Sequence, residues 1–463
     1  MQQLSMWVLA ALALGGLLFW VIQSGSLGQS PQATPPAAQV ANEASAEQAD
    51  ASEPVTAEAP ASQESTPAST DEDKSPLQVN GREVQIGGLD FGQYFSKQEL
   101  EILGFADRNP AQVRRWADLN LQFLAKGLQA SVAMDVIPSV DSPRFVSPEE
   151  VGDWLSDEAL VVGIRFQGIT RAYPISILNW HEIVNDDFGG TKVVVTYCPL
   201  CNSSLAFVAP SIDGQTTEFG TSGRLYQSDL VMYDRVTGTF WSQLEAGPII
   251  GPLVGEHGPL ERLPVDVVPF GLWKADHPDT TVLDQPRSGD RVGNKLFESA
   301  PGKVYPRDYA QDPYSRYRLS NPEKGKSTQF GIPINDDRLK AKDSIIGIAV
   351  AGHTKAYALE ALRAKQVLND TVGEVPVLAL VGPAGNARFF ERISPDSDQV
   401  LTFTLSDEKL VDDQGGIWSL TGEALSGDAQ GQQLKEIVGQ MAFWFAWITF
   451  NPDSDVFYDE GDS

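Results

Sequence analysis

The sequence predicts a β-rich α+β fold that contains two related β units in tandem. Runs of β-branched residues separated by Gly, Asp and Asn turns indicate strands through most of the chain after residue 137. An internal repeat indicates the tandem arrangement, because GIRFQGITRAYPISIL at residues 163–178 aligns with GIAVAGHTKAYALEAL at residues 347–362. Further matching residues follow downstream: Asn185 with Asn369, Asp186 with Asp370, Trp241 with Trp418, and Trp273 with Trp447.

The first 78 residues predict an anchor followed by a tether. Residues 1–23 include the uncharged apolar run MWVLAALALGGLLFWVIQ, which is typical of a membrane anchor or a signal segment. Residues 24–78 are acidic, rich in Ala, Pro and Ser, and lack a periodic apolar face, which predicts a disordered linker. We expect an uncleaved anchor and an exported body, whose cysteines then face an oxidising compartment.

Four segments follow the linker. Residues 79–136 predict a short helical lead-in, since Ser96 is followed by Glu99 and then by apolar residues at helical spacing. Residues 137–287 form the first repeat unit, which holds a Cys-Pro-Leu-Cys motif. Residues 288–342 form a Tyr- and Pro-rich bridge, whose tyrosines need surfaces to cover. Residues 343–463 form a second repeat unit that lacks the cysteines.

The charge of the chain excludes one class of partner. The formal net charge is −28, and so acidic a surface repels phosphate backbones. We therefore expect no nucleic-acid partner. The sequence also contains no Walker loop, dinucleotide fingerprint or Gly-x-Ser-x-Gly elbow.

The motif KVVVTYCPLCNSSLAF at residues 192–207 contains both cysteines of the chain, Cys198 and Cys201. A thiol oxidoreductase with this spacing needs a helix that begins at the motif and lowers a thiol pKa. The residues after Cys201 predict a turn and a strand instead, which argues against a thioredoxin-like fold. A redox-active disulfide in another scaffold stays open.

A metal site is the second interpretation of the same motif. A knuckle with two thiolates often has its next residue in the left-handed region, which Asn202 tolerates. His181 precedes the cysteine strand and is a candidate ligand or proton partner. Met232 is a candidate thioether ligand that would favour copper over zinc. The implied cofactor is one transition metal: copper, zinc or iron.

A structural disulfide is the third interpretation. An exported cysteine pair often does no more than stiffen a loop. A single His beside Trp is commonly a hydrogen-bonded structural residue, and Met on a strand is commonly core. The three interpretations stay open on the residues alone.

A dense polar and aromatic stretch at residues 220–247 predicts a pocket wall near the cysteines. Small residues allow a ligand to approach the backbone, and an arginine there can bind a carboxylate. A structural β-hairpin explains the same residues, and a hydrolase based on Ser222 has no further support. The candidate pocket residues are Glu182, Ser222, Arg224, Tyr226, Asp229, Tyr233, Asp234, Trp241 and Gln243.

The reactive residues do not recur in the second unit. Cys198 and Cys201 align with Gly382 and Gly385, and His181 aligns with Lys365. The repeated framework without repeated chemistry predicts one active unit and one that serves mainly as scaffold.

The long motifs of the body are similar to those of one family. They include IPSVDSPRFVSPEE, NWHEIVNDDFGGTKVVVTYCPLCNSSLAF, SGRLYQSDLVMYDRVTGTFWSQL and YPRDYAQDPYSRY. Over residues 137–455 the chain resembles the bacterial domain-of-unknown-function family 3179. The resemblance implies no activity, but it implies export or membrane tethering. Matching positions are His181, Glu182, Asn185, Asp186, Cys198, Cys201, Ser222, Gly223, Tyr226, Asp229, Tyr233, Asp234, Trp241, Ser242 and Gln243; Asn202 stands where Gly is common.

These observations predict a protein of the bacterial cell envelope, tethered to the membrane by its N-terminal segment. Its first unit would hold a metal or thiol-redox centre at Cys198 and Cys201. The alternative is a non-enzymatic envelope scaffold or binding protein whose cysteine pair is a structural disulfide.

Overall fold

The computed structural model describes residues 132–322, 324, 336–406 and 409–458, and the backbone of five short strands before residue 132. The predicted anchor at 1–23 and nearly all of the predicted linker at 24–78 lie outside the described residues. So does the helix-patterned part of the lead-in; the parts of 79–136 that are described are short strands and an irregular segment. Among the described residues, no helix has the length and apolarity to span a membrane.

Strands dominate the described residues and helices are few, which confirms the predicted β-rich class. The helices are α1 Ile175–His181, α2 Phe270–Asp276, α3 Ser315–Leu319, α4 Leu359–Lys365 and α5 Trp444–Phe450, with a 3-10 turn at Gly152–Trp154. Up to residue 250 the strands are β1 Gln78–Val79, β2 Arg82–Glu83, β3 Gln85–Ile86, β4 Leu89–Asp90, β5 Leu128–Ala130, β6 Phe145–Val146, β7 Leu160–Phe166, β8 Ile169–Pro174, β9 Ile183–Phe188, β10 Thr191–Cys198, β11 Ser203–Val208, β12 Ser211–Ile212, β13 Gln215–Thr216, β14 Phe219–Tyr226, β15 Asp229–Asp234, β16 Phe240–Ser242 and β17 Pro248–Ile250. After residue 250 they are β18 Arg262–Leu263, β19 Asp266–Pro269, β20 Thr281–Leu283, β21 Arg291–Val292, β22 Lys295–Leu296, β23 Ser344–Val350, β24 His353–Ala358, β25 Val367–Val372, β26 Val375–Val381, β27 Ala387–Glu391, β28 Phe403–Ser406, β29 Lys409–Asp412, β30 Ile417–Trp418, β31 Glu436–Ile437, β32 Gln440–Phe443 and β33 Asp455–Phe457.

The same strand orders occur twice along the chain. In the first set the sheets run β19-β7-β8-β20-β6, β9-β10-β11-β18 and β14-β15-β16-β17, the last extended by β5 beside β14. In the second set they run β32-β23-β24-β33, β25-β26-β27-β31 and β28-β29-β30. In both sets one pair is parallel, β8 with β20 and β24 with β33. This agreement supports the tandem units, whose exact boundaries stay predictions.

Equivalent side chains make equivalent hydrogen bonds in the two sets. Each bond satisfies a buried polar group within the framework, as a close-packed interior requires. The indole of Trp241 donates to Asp234, and that of Trp418 donates to Asp412. The amides of Asn185 and Asn369 each pair with one backbone position, Phe219 and Phe403 respectively. These repeated contacts are structural, because the second set makes them without cysteines.

One glycine in each set lies beneath a tryptophan ring. A Cβ at Gly163 would lie 2.6 Å or less from three ring atoms of Trp273, and Gly347 is placed in the same way beneath Trp447. Both indoles are buried. The repeated Gly and Trp therefore pack a helix, α2 or α5, against the central strand of its sheet.

The two sets meet at the cysteine motif. Cys198, Cys201 and Leu200 share one apolar core cluster with residues 442–448 of the second set. The Phe443 N–H donates a 2.7 Å hydrogen bond to the carbonyl of Cys201. The second set therefore forms part of the wall around the cysteines of the first.

We expect Gly163→Ala to destabilise the protein by about 1–3 kcal/mol, because the new methyl group must displace the Trp273 ring from a close-packed core. Thermal unfolding measures the loss. Gly258→Ala is the matched control, since a Cβ there meets nothing within 4 Å. Equal unfolding temperatures for the two variants would contradict the packing argument.

Candidate metal centre

The Cys-Pro-Leu-Cys motif forms the turn between β10 and β11. Cys198 is the last residue of β10 and pairs with Ser203 at the start of β11. Asn202 has φ 51°, which confirms the left-handed residue predicted after the second cysteine. The turn directs both cysteines into the core, where they are buried.

A second hairpin, between β14 and β15, meets the cysteine turn. Its two turn residues, Gln227 and Ser228, have φ 54° and 64°, as a two-residue turn with the twist of a hairpin requires. Such a turn prefers Asn and Gly, so these residues hold a strained backbone. The Cys201 thiol donates to the Ser228 carbonyl at 3.2 Å, and the Cys198 sulfur lies 3.9 Å from the same oxygen.

Asp229 follows this turn and completes a cluster of three donors. The two sulfurs and a carboxylate oxygen of Asp229 all lie within 4.8 Å of one another. Both cysteines are free, and the pair lies 3.6 Å apart without a disulfide. Asp229 is fully buried; its Oδ2 accepts from the N–H of Leu244 at 2.9 Å and from Ser242 at 3.4 Å. Its Oδ1 is buried without a well-aligned hydrogen bond, and the neighbouring Cys201 thiol interacts with this carboxyl.

Burial keeps Asp229 and Cys201 protonated when no cation is present. It raises the pKa of Asp229 to about 8. Burial also raises the pKa of the Cys201 thiol well above its usual value, and the neighbouring Cys198 and Asp229 raise it further. A nucleophilic thiolate is therefore disfavoured at neutral pH, in contrast to a cysteine at a helix N-terminus. Loss of these protons requires a compensating positive charge.

The two predicted additional ligands, His181 and Met232, have different surroundings. His181 Nδ1 lies 2.6 Å from the carbonyl of Pro138, and Nε2 lies 2.8 Å from the Tyr309 hydroxyl. Burial lowers the pKa of His181 to about 4, so the ring is neutral. His181 is absent from the cluster of possible ligands, and its nitrogens already have partners. Met232 is buried in β15, three residues along the strand from Asp229, and it belongs to the same apolar core cluster as the two cysteines.

Several predicted pocket residues hold the hairpins in place. The Gln243 amide donates to Thr196 and accepts from Ser203, so it joins β16 to the two strands of the cysteine hairpin. Ser222 donates to the Val231 carbonyl beside a bulge in β14. Asp234 accepts hydrogen bonds from the following turn and from the Trp241 indole. These contacts are structural.

The remaining pocket residues line the surroundings of the two hairpins. The Tyr233 hydroxyl donates to Asp135 at 2.6 Å. Arg224 and Tyr226 are buried in β14, and the Tyr226 ring packs edge-on against Phe450 of α5. Of the predicted pocket residues, the structure thus brings Asp229 to the cysteines, and the others lie around the two hairpins.

Glu182 is a buried acid at the edge of this region. It follows α1 with φ 56°, and burial raises its pKa to about 8. The Tyr314 hydroxyl of the bridge lies 3.4 Å from its Oε1. Gln366 follows α4 with φ 60° and is exposed. The backbone conformation is therefore shared by both sets, whereas the buried carboxyl belongs to the first alone.

Sequence reasoning missed two parts of the site. One is the Ser228 carbonyl, which no residue type reveals. The other is the bridge, whose Tyr317 hydroxyl donates to the Leu200 carbonyl within the motif. From the sequence we expect the bridge tyrosines to cover a surface, which agrees with this contact. That expectation does not say which surface is covered.

We expect Glu182→Gln to remove a pH dependence from the stability of the metal-free protein. The folded-state pKa of about 8 lies above that of the unfolded chain. Between the two values the unfolded state loses a proton that the folded state keeps, so stability falls by about 1.4 kcal/mol per pH unit as the pH rises towards 8. Gln does not ionise, so the variant gains stability relative to the parent from pH 5 to 8.

Urea unfolding at several pH values, with a chelator present, measures this difference. Gln366→Glu is the matched control: its side chain is exposed, so the new carboxyl keeps an ordinary pKa and adds no such slope. Parallel stability curves for the parent and Glu182→Gln would contradict the assignment.

Comparison with curated proteins and with solved structures finds no match to the chain. A family comparison does find one, and it covers most of the described strands, the bridge and the cysteine cluster together. The family described as "Protein of unknown function (DUF3179)" matches residues 134–454, so the chain belongs to this family.

Proposed function

We propose that the protein binds one zinc ion through Cys198, Cys201 and Asp229. The observation that carries the proposal is the convergence, in one core position, of two free thiols and a fully buried carboxylate oxygen without a well-aligned hydrogen bond. A buried polar oxygen without such a bond is costly, and native proteins rarely leave one so. A cation at this position satisfies it.

The spacing of the cysteines supports a shared metal. In a tetrahedral site with Zn–S bonds of 2.3 Å, two sulfurs lie about 3.8 Å apart; the pair here lies 3.6 Å apart. A disulfide requires a separation of about 2.05 Å. The Ser228 carbonyl, which faces both sulfurs, is suited to be a fourth donor.

The donor set favours zinc among copper, zinc and iron. Zinc accepts thiolate and carboxylate ligands together, whereas Cu(I) prefers soft sulfur donors. The proposed ligand set does not include Met232, whose thioether would favour copper. Without a His ligand, the set has two sulfurs and one carboxylate oxygen.

Zinc binding at this site would displace protons. The Cys201 thiol and the Asp229 carboxyl, whose pKa values are raised by burial, must lose their protons to become anionic ligands, so affinity rises with pH and falls in acid. Arg262 interacts electrostatically with Asp229. Its positive charge partly offsets the excess negative charge of the three anionic ligands.

The rival function is a non-enzymatic envelope scaffold or binding protein with a structural or redox-active disulfide. The short distance between the two thiols is compatible with it, since a modest movement would join them. The zinc protein and the disulfide-containing scaffold differ in metal content and in the number of free thiols. Both quantities can be measured on one preparation.

We also propose that the body is exported and tethered to the bacterial envelope membrane by residues 1–23. The apolar run, the acidic linker and the acidic surface of the whole chain support this location. Fractionation of cells that express the full chain should recover it with membranes, with the body sensitive to protease from the outer side. Deletion of residues 1–23 should leave the body in the cytoplasm; recovery of the intact chain there would contradict the proposal.

We expect the purified protein to contain close to one zinc per chain. Cys198→Ser and Cys201→Ser should abolish the metal, and Asp229→Asn should weaken binding at least tenfold, because each removes one anionic ligand. Elemental analysis with a thiol count measures both. Met232→Leu is the matched control, since it changes a buried sulfur outside the ligand set and should retain the metal.

Near-ultraviolet circular dichroism establishes that each variant is folded. Absence of metal together with absence of free thiols in the parent would favour the disulfide. Retention of zinc in Cys198→Ser would contradict the proposed ligand set.

A further inference from the structure

Residues 308–321 of the bridge form a strap that lies over the cysteine turn. The strap includes helix α3 and connects the end of the β21–β22 region to the second set of sheets. The Tyr317 hydroxyl donates a 3.0 Å hydrogen bond to the carbonyl of Leu200, inside the motif. The Arg318 guanidinium donates to the Tyr197 hydroxyl, also at 3.0 Å, just before Cys198. The strap therefore holds the turn on both sides.

Lys342, which lies just before the second set, also contacts the strap through Tyr317. Its Nζ lies 3.4 Å from the centre of the Tyr317 ring and donates to the Tyr317 carbonyl. Lys342 is buried, and burial lowers its pKa to about 8. Tyr317 thus lies between the cysteine turn of the first set and the Lys342 cation at the end of the bridge.

The start of the strap is attached to α1. The Trp180 indole donates to the carbonyl of Asp308 at 3.0 Å, and the Tyr309 hydroxyl lies 2.8 Å from His181 Nε2. This contact gives His181 a role in the site other than the predicted ligation. Both ends of the strap are therefore attached, and its middle covers the cysteines.

The cysteine site has further walls, which include loop residues such as Leu244 and Ala341 as well as parts of the sheets. The walls that belong to sheets are the β10–β11 hairpin with its turn, the β14–β15 hairpin and the β32–α5 corner, whose backbone bonds to Cys201. The strap has no strand pairing, and its outer residues Ser315, Arg316 and Leu319 are exposed. A segment held by side chains opens at a lower free energy than paired strands do.

We propose that the strap is the gate of the cysteine site, so that the thiols meet solvent, and a bound metal exchanges, only when residues 308–321 lift. The thiol part stands on the contacts alone, and the metal part rests on the proposed zinc site. In the closed state Tyr317 is the central latch, because it alone of the strap residues contacts both the motif and Lys342.

The test compares the rate at which iodoacetamide alkylates Cys198 and Cys201 in the metal-free, full-length chain. Tyr317→Phe keeps the ring and removes the hydrogen bond to Leu200. Loss of one such bond should raise the open population, and with it the alkylation rate, about fivefold. Tyr357→Phe is the matched control, since it removes a buried hydroxyl bonded to Asp370 in the second set, away from the strap.

Three outcomes are distinct. A faster rate in Tyr317→Phe alone establishes the gate. Equal rates in Tyr317→Phe and the parent overturn it, as does equal acceleration in both variants, because exposure would then follow unfolding of the whole protein. Zinc transfer to a chromogenic chelator should accelerate by the same factor in Tyr317→Phe. A parent without zinc would overturn the proposed function, while the alkylation rates would still decide the gate.

Discussion

The burial of three ionisable donors in one apolar core is the constraint on which the rest of the site depends. Cys198, Cys201 and Asp229 share a position from which solvent is excluded, so each is stable there only as a neutral acid or beside a cation. The two hairpins, the strap and the β32–α5 corner all serve to keep that position closed. The chemistry of the site follows from this burial more than from the cysteine spacing.

The second set of sheets supports the first without copying its chemistry. The tryptophan–aspartate, asparagine–backbone and glycine–tryptophan contacts occur in both sets, so they belong to the shared framework. Where the first set has its cysteines, the second has Gly382 and Gly385. Its contribution to the site is instead a wall, through Phe443, while Lys342 at the end of the bridge contacts Tyr317. A buried centre between two units needs both of them to be complete.

Backbone strain separates framework from site in a similar way. Glu182 and Gln366 have the same left-handed conformation at the ends of α1 and α4, so this strain is part of the shared architecture. The strained turn at Gln227 and Ser228 has a different consequence, because it aims a carbonyl and Asp229 at the two sulfurs. A positive φ indicates function only where it presents a group to a site.

The sequence by itself determined the β-rich class, the left-handed residue after the cysteines and the membership of the family. Those features depend on local turn chemistry, strand patterning and long motifs, which neighbouring residues specify. It also placed Asp229 among the pocket residues, but nothing in its neighbours distinguished it from Asp234, which is structural. Only the tertiary structure decided between them, because strand pairing in β14–β15 and β10–β11 brings residues 198 and 229 together across the chain. The same long-range packing gave both His181 nitrogens partners outside the cysteine cluster and placed Tyr317 over the motif, since contacts between distant segments depend on three-dimensional packing rather than on spacing along the sequence.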